Sequence, residues 1–131
     1  MTKPSWTPAA YSTVSPYLIV DGAAATIEFL KRVFDAVEKD RHAGDAGRLR
    51  HAEVRIGECV VMLSDPVPPD WPLKHAHVHV YVADVDEAYR RALVAGATSV
   101  QAPEKKDDAD KRGGVRDAGG TTWWIATRID R

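Results

Sequence analysis

The residues of this chain best suited to chemistry are three histidines at alternate positions in the stretch KHAHVHVYV: His75, His77 and His79. Alternate side chains of a β-strand point to one face, so the three imidazoles would share a face and Val78 and Val80 would take the other. An imidazole binds metal ions, moves protons, or donates and accepts hydrogen bonds. Because i and i+2 side chains stand about 7 Å apart and zinc–nitrogen bonds are about 2 Å long, at most two of the three can share one ion. Any metal site therefore needs ligands from elsewhere.

A second polar pair, His51 and Glu53, lies in the segment HAEVRIG and shares one face of a predicted strand whose other face is apolar. With His77 and His79 this pair makes a chemically acceptable metal-binding set. The same four side chains would also line a hydrogen-bonded polar pocket, which we favour because histidines serve more often as hydrogen-bonding groups than as metal ligands. Glu53 is the candidate catalytic residue, a general base whose pKa burial would raise toward neutrality.

Two adjacent tryptophans, Trp123 and Trp124, must point to opposite faces if residues 121–127 form a strand. One ring then belongs to the core and the other to the polar face. An indole on that face offers a flat area for stacking, which predicts a pocket for an aromatic or planar apolar compound. The alternative is a ring that only fills the space or packs at a subunit contact.

Composition limits the classes of function. With 131 residues, 44% of them hydrophobic, the chain is long enough for one compact domain, residues 1–131, and too short for two. A formal net charge of −1 gives no basic surface for nucleic acid. The single cysteine, Cys59, fits a reducing compartment and is predicted to be a buried, inert thiol. No apolar run approaches the roughly 18 residues of a membrane span, so we expect a cytoplasmic protein that binds neither nucleic acid nor membrane.

The elements that must position these side chains occur twice in the same order, a strand, a helix and antiparallel strands, at a period of about sixty residues. Module one is predicted at about 14–65, a proline-rich linker at 66–74, and module two at about 75–128. Asp21 is predicted to cap the first helix and Asp84 the second. The charged stretch EKKDDADKR is predicted to be a solvated loop, and the proline-rich N-terminal arm to be loose.

The duplicated unit contains four segments, VSPYLIVDGAAATIEFLKRVF, HAEVRIGECVVMLSD, VYVADVDEAYRRALVAGAT and VRDAGGTTWWIAT. Together they resemble the glyoxalase/bleomycin-resistance/dioxygenase family, also called the vicinal oxygen chelate family, and within it the PhnB-like, glyoxalase-like branch. The resemblance spans residues 14–127. It implies an α+β fold in which two βαβββ modules form a cup-shaped mixed β-sheet with the helices outside. It also implies a homodimer, as members commonly form.

Metal-dependent members of that family place one ligand on each of four strands, and the resemblance carries those places to Ser15, Met62, His77 and Trp124. Only His77 offers a donor suited to a catalytic divalent ion, which needs about three protein ligands. We therefore expect no metal and no cofactor. The resemblance also turns Trp124 toward the cup and Trp123 toward the helices. The predicted ligand pocket contains His51, Glu53, Met62, His77, His79 and Trp124.

We interpret the chain as a metal-independent, glyoxalase-like protein that binds a small, partly apolar molecule in its cup, in the manner of bleomycin-resistance proteins. The alternative is a metal-dependent lyase, isomerase or dioxygenase of the same family that uses His51, Glu53, His77 and His79. A further alternative is a structural dimer with a vestigial pocket. The scaffold does not decide among them, because function lies in the site.

Overall fold

The structure, a computed structural model, describes residues 5–130. It contains two four-stranded β-sheets and two α-helices. The first half consists of β1 (Tyr17–Ile19), α1 (Ala23–Phe34), β2 (Val37–Ala43), β3 (Leu49–Ile56) and β4 (Cys59–Ser64), with a short 3-10 turn at Asp45–Gly47. The second half consists of β5 (Ala76–Tyr81), α2 (Val85–Val94), β6 (Thr98–Lys105), β7 (Asp110–Arg116) and β8 (Thr121–Arg128).

The two sheets repeat one topology. The strand order is β1-β4-β3-β2 in the first sheet and β5-β8-β7-β6 in the second sheet. The β1–β4 and β5–β8 pairs are parallel, and the remaining pairs are antiparallel. Each half is therefore a βαβββ unit, and the predicted α+β class is confirmed. The strands form two separate four-stranded sheets.

Two of the strands that the βαβββ resemblance implies were not located by the residue pattern. The segments Val37–Ala43 and Thr98–Lys105 form β2 and β6, the outermost strands on one side of each sheet. Both are mostly exposed, so neither shows the alternation of apolar and polar residues that marks a half-buried strand. The prediction of a solvated loop for EKKDDADKR was wrong at both ends, because its first residues belong to β6 and its last to β7.

The start of α1 is capped from a distant strand. Asp21 was predicted to cap this helix, but the N-cap position is Gly22 and no capping side chain is adjacent in sequence. Asp65, just after β4, instead accepts hydrogen bonds from the backbone N–H groups of Gly22 and Ala23, both at 2.9 Å, and from Leu49 at 2.7 Å. The predicted cap of α2 is confirmed, since Asp84 accepts from the backbone of Glu87. Within residues 5–130, no helix is long and apolar enough to cross a membrane.

A single cluster of buried apolar side chains includes residues from both halves. Phe34 of α1 packs on Trp123 of β8, with ring centroids 5.4 Å apart. Trp123 is fully buried, and its Nε1–H donates to Asp117 at 2.8 Å, which satisfies the polar edge of the indole. Cys59 was expected in this core but is exposed at the start of β4.

Candidate functional site

Two histidines of the predicted row lie on one face of the second sheet, which we call the open face; it carries His77, His79, Gly114, Arg116 and Trp124. His75 precedes β5 and lies outside the sheet. Each histidine of the row accepts a hydrogen bond from a group that has no acceptor of its own. The donors are Arg116 to Nδ1 of His75, Trp124 Nε1 to Nδ1 of His77 at 3.1 Å, and Arg112 Nε to Nε2 of His79 at 3.0 Å. A ring nitrogen that accepts carries no proton, so the N–H of a neutral imidazole in this arrangement lies on the other nitrogen.

Trp124 forms a flat platform on the open face. Its ring lies edge to edge with the imidazole of His77, with centroids 6.3 Å apart and planes 8° apart, and the hydrogen bond from Nε1 joins the two edges. A Cβ added to Gly114 would come within 2.6 Å of the indole, so the ring lies directly on the backbone of β7. Trp124 is partly exposed while Trp123 is fully buried, which confirms that the two tryptophans take opposite faces as predicted.

Charged side chains next to Trp124 act on the pKa of His79 in opposite directions. Arg112 pairs with Asp108 and Asp110, each at 2.8 Å, and Asp110 also accepts from the hydroxyl of Tyr81 at 2.7 Å. Burial and the guanidinium of Arg112 lower the pKa of His79, and the two aspartates oppose them less strongly. The neutral state that the hydrogen bond requires is therefore also the one that the surroundings of His79 favour.

His51 and Glu53 lie together in the first sheet. Nε2 of His51 is 2.9 Å from Oε2 of Glu53, and Nδ1 of His51 is 3.0 Å from the hydroxyl of Tyr17. Glu53 is buried and also accepts from the hydroxyl of Tyr11. Burial raises the pKa of Glu53, but the hydrogen bonds from His51 and Tyr11 outweigh it and hold the pKa below its usual value. The predicted rise toward neutrality was wrong, and Glu53 is a poorer general base than expected.

The structure brings the candidate residues together in two sets. Met62 pairs with Glu53 across β3 and β4 in the first sheet, while His77, His79 and Trp124 lie in the second. Among residues 5–130, no hydrogen bond, ion pair or ring contact joins the sets. In the same part of the chain, no group of at least three His, Cys, Asp or Glu side chains could hold a metal ion. The four residues of the metal-dependent alternative are therefore not assembled into one cluster.

Four positions of this chain correspond to the metal ligands of metal-dependent family members, and as a set their side chains do not suit a divalent metal. Ser15 is 3.3 Å from the hydroxyl of Ser12, and Met62 and Trp124 have no nitrogen or oxygen suited to the ion. His77 has a suitable ring, but its Nδ1 is engaged by Trp124. The donor chemistry of these positions does not match a catalytic metal centre.

Two aromatic residues outside the predicted pocket contact the first sheet: Tyr11, which the sequence did not identify, and Trp71, which was expected to anchor the proline-rich linker or to act as a lid. Tyr11, in the N-terminal arm that was expected to be loose, reaches Glu53, and Lys39 lies 4.9 Å from the centre of its ring. Trp71, in the proline-rich linker, donates to the hydroxyl of Ser64 at 2.9 Å and meets Tyr17 edge to face. Neither segment has a periodic pattern; the only signal was an aromatic residue inside a polar, proline-rich stretch.

A cleft of about 720 Å³ lies on the other face of β5. The valines opposite the histidine row are partly buried and pack against the core as predicted, but they also line this cleft. The apolar lining includes Val33, Phe34, Val61, Val78, Val80 and Trp123. Its volume is in the range of small-molecule pockets, so the molecule offers a second place for an apolar ligand.

The sequence matches one family and several relatives. A sequence profile of the Glyoxalase/Bleomycin resistance protein/Dioxygenase superfamily matches residues 12–125. "Uncharacterized protein Rv0887c" of Mycobacterium tuberculosis is 42% identical over 88% of this chain and 74% of its own length. "Uncharacterized protein Mb0911c" of Mycobacterium bovis is also 42% identical, over 88% of this chain and 83% of its own length.

Solved structures share the fold. TioX from Micromonospora sp. ML1 has a TM-score of 0.74 at 27% identity, over 90% of this chain and 99% of TioX. A PhnB protein from Bacillus cereus has a TM-score of 0.68 at 16% identity, over 88% and 99% of the two chains. Fosfomycin resistance protein FosX from Mesorhizobium loti has a TM-score of 0.64 at 18% identity, over 88% and 91%. At such low identity the last two show the fold alone.

Proposed function

Because the chain belongs to the Glyoxalase/Bleomycin resistance protein/Dioxygenase superfamily, we propose that it binds a small, planar, partly apolar molecule on the open face without a metal ion. The observation that carries the proposal is the partly exposed ring of Trp124, held flat on Gly114 and fixed by its hydrogen bond to His77. A ring held in one orientation loses little freedom when a ligand stacks on it, so stacking contributes more to affinity.

The histidines beside the platform supply the polar part of the site. His77 and His79 each use one ring nitrogen as an acceptor inside the protein, so the N–H on the other nitrogen can donate a hydrogen bond to a ligand oxygen. His51, Glu53 and Met62, which were also expected in the ligand pocket, lie in the first sheet and are not part of this proposed site. An apolar surface with a few precisely placed polar groups is typical of the lining of small-molecule sites.

A fluorescent ligand tests the proposal. N-phenyl-1-naphthylamine is planar and uncharged, and it brightens when it enters an apolar site. Stacking of aromatic rings is worth about 0.5–1.5 kcal/mol beyond buried area, so Trp124→Ala should weaken binding by roughly tenfold. The matched control is Trp71→Ala, which removes an exposed indole from the linker and should leave the affinity unchanged.

Two results would contradict the proposed site. The first is that the probe does not brighten and that neither it nor a panel of planar aromatic compounds changes the tryptophan fluorescence of the protein. The open face is then not a binding site, and the alternative of a vestigial pocket gains support. If Ile56→Ala in the cleft weakens binding and Trp124→Ala does not, the ligand enters the cleft instead.

The metal-independent part of the proposal has its own test. Elemental analysis of protein purified without chelator or added metal should find no stoichiometric divalent ion. The reason is that the side chains at the four positions corresponding to the family's metal ligands do not suit such an ion. About one zinc, iron, nickel or manganese per chain, lost in His77→Ala, would favour the metal-dependent enzyme instead.

We also propose that the chain forms a homodimer. Large apolar side chains are exposed in both halves, among them Tyr17 at 41%, Trp71 at 43% and Tyr81 at 64%. Apolar surface exposed in this way is typical of interaction sites when it is contiguous. Light scattering coupled to gel filtration should give about twice the mass of one chain, and a monomer mass over the whole concentration range would contradict the proposal.

A further inference from the structure

We propose that the ligand of the open face carries an anionic group and that Arg116 is the residue that pairs with it. This inference rests on the proposed function and names the chemical class of its ligand: a planar apolar body with a carboxylate, phosphate, phosphonate or sulfonate. It adds to the proposed function that negative charge, and not only a planar shape, decides which small molecules bind to the open face.

The first argument is position. Strand β7 presents Arg112, Gly114 and Arg116 on one face, and Trp124 lies opposite Gly114 in the β7–β8 register. The two arginines are therefore the diagonal neighbours of Trp124, at about 7–8 Å along this face, a distance that long side chains span. A ring stacked on Trp124 would lie within reach of a guanidinium on either side.

The second argument is charge. Arg112 is already neutralised by Asp108 and Asp110. Arg116 is exposed, and no carboxylate of residues 5–130 pairs with it. Its hydrogen-bond partner is Nδ1 of His75, which carries no negative charge. The guanidinium of Arg116 is thus the uncompensated charge beside the platform.

The third argument is the surrounding hydrogen-bond chemistry. Asp110 and Glu104 are acidic side chains on this face next to Arg112. Oδ2 of Asp110 already accepts from Tyr81 and Arg112, and Glu104 is paired with Lys106. The remaining ring N–H groups of His77 and His79 are donors. An arginine has five N–H donors arranged as a fork that matches the two oxygens of an anion. Free donors on this face, together with carboxylates that are already paired (Glu104, Asp108 and Asp110), favour an acceptor-rich, negatively charged group.

A matched pair of probes tests the inference. The compound 8-anilino-1-naphthalenesulfonate has the ring system of N-phenyl-1-naphthylamine with a sulfonate added. We expect the wild-type protein to bind the sulfonate more tightly, and added sodium chloride to reduce that preference. The variant Arg116→Gln should weaken binding of the sulfonate by about tenfold or more and leave binding of the neutral probe within about twofold.

The control variant is Arg128→Gln. Arg128 lies four residues beyond Trp124 on the same strand, about 13 Å away, so its replacement removes an equal charge from the same side of the sheet without reaching the platform. It should change the affinity for neither probe by more than about twofold.

The outcomes separate this inference from the proposed function. If both probes bind, both are weakened by Trp124→Ala, and Arg116→Gln affects them equally or not at all, the platform is real and the anion preference is wrong. If Arg128→Gln weakens the sulfonate as much as Arg116→Gln does, general charge and not a specific pair is responsible, and the inference is also wrong. If neither probe binds to the open face, the proposed function and this inference fail together.

Discussion

The indole of Trp124 rests on the backbone of Gly114, its partner in the β7–β8 register, and leaves no room for a side chain between them. Glycine weakens a strand because it has no side chain to pack. At this position the missing side chain is what allows the ring to lie flat against β7 and to reach His77 with its Nε1–H. The position of the Trp124 ring therefore depends on Gly114, a residue without a side chain that could contact a ligand.

Gly114→Ala should displace the ring of Trp124, because the new Cβ would come within 2.6 Å of it. Forcing an extra methyl group into a packed site typically costs about 1–3 kcal/mol. Urea unfolding should show this loss of stability, and binding of N-phenyl-1-naphthylamine should weaken. The control is the double variant with Trp124→Ala: once the ring is gone, the alanine should cost much less than in the wild-type background. Equal costs in both backgrounds would show that the ring does not rest on Gly114.

Trp123→Ala should destabilise the protein far more than Trp124→Ala does. Trp123 is fully buried against Phe34, so its removal leaves a cavity in the core and should cost about 3–5 kcal/mol. Trp124 is partly exposed, and its replacement should lower the unfolding free energy by much less while weakening ligand binding. Chemical denaturation of the two variants measures this difference. The reverse order of stabilities would mean that the faces of β8 are assigned the wrong way round.

Asp65→Ala should lower the unfolding free energy by at least about 1–2 kcal/mol, since the carboxylate accepts from the first backbone N–H groups of α1. The same change leaves the buried backbone N–H of Leu49 without its partner, which adds to the loss. Asp21→Ala is the matched control, because Asp21 is next to the helix in sequence but does not cap it. Thermal unfolding should show a clear shift for Asp65→Ala and almost none for Asp21→Ala.

Stability should fall as the pH drops below about 6.5, in part through His79. The pKa of His79 is lowered in the folded protein, so the unfolded chain takes up a proton at a pH where the folded chain does not. The stabilising contribution is therefore present above the ordinary histidine pKa and is lost as the pH falls through the folded pKa. His79→Gln keeps an acceptor for Arg112 but cannot titrate, so the pH dependence of its unfolding free energy should be shallower than that of the wild type. An unchanged slope would contradict this role.

The faces of β5 and β8 were predictable from the sequence alone. One side of each strand packs on the core, so more buried and more exposed side chains alternate with a period of two, as Val78 and His77 or Trp123 and Trp124 do. Strands β2 and β6 lie at the sheet edges and are mostly exposed, so nothing in their composition separates them from loops.

The partners of the candidate residues were not predictable. Trp124 and His77 are 47 positions apart, and Arg116 and His75 are 41 apart, so their hydrogen bonds follow from the strand order and not from any local pattern. The pKa of Glu53 was predicted in the wrong direction for the same reason. Burial could be inferred from its strand, whereas the donors that outweigh burial come from His51 and from Tyr11, 42 positions away.

The hydrogen bond that Tyr11 donates to Glu53 means that the N-terminal arm affects the pKa of a buried carboxylate in the first sheet. Shortened versions of the chain that begin at β1 would keep every strand and both helices. They would nevertheless remove one of the two donors to a buried carboxylate, and the hydrogen bonding that now lowers the pKa of Glu53 would be reduced. A trimmed protein prepared for crystallography or NMR would thus keep these elements but have a different protonation behaviour at Glu53.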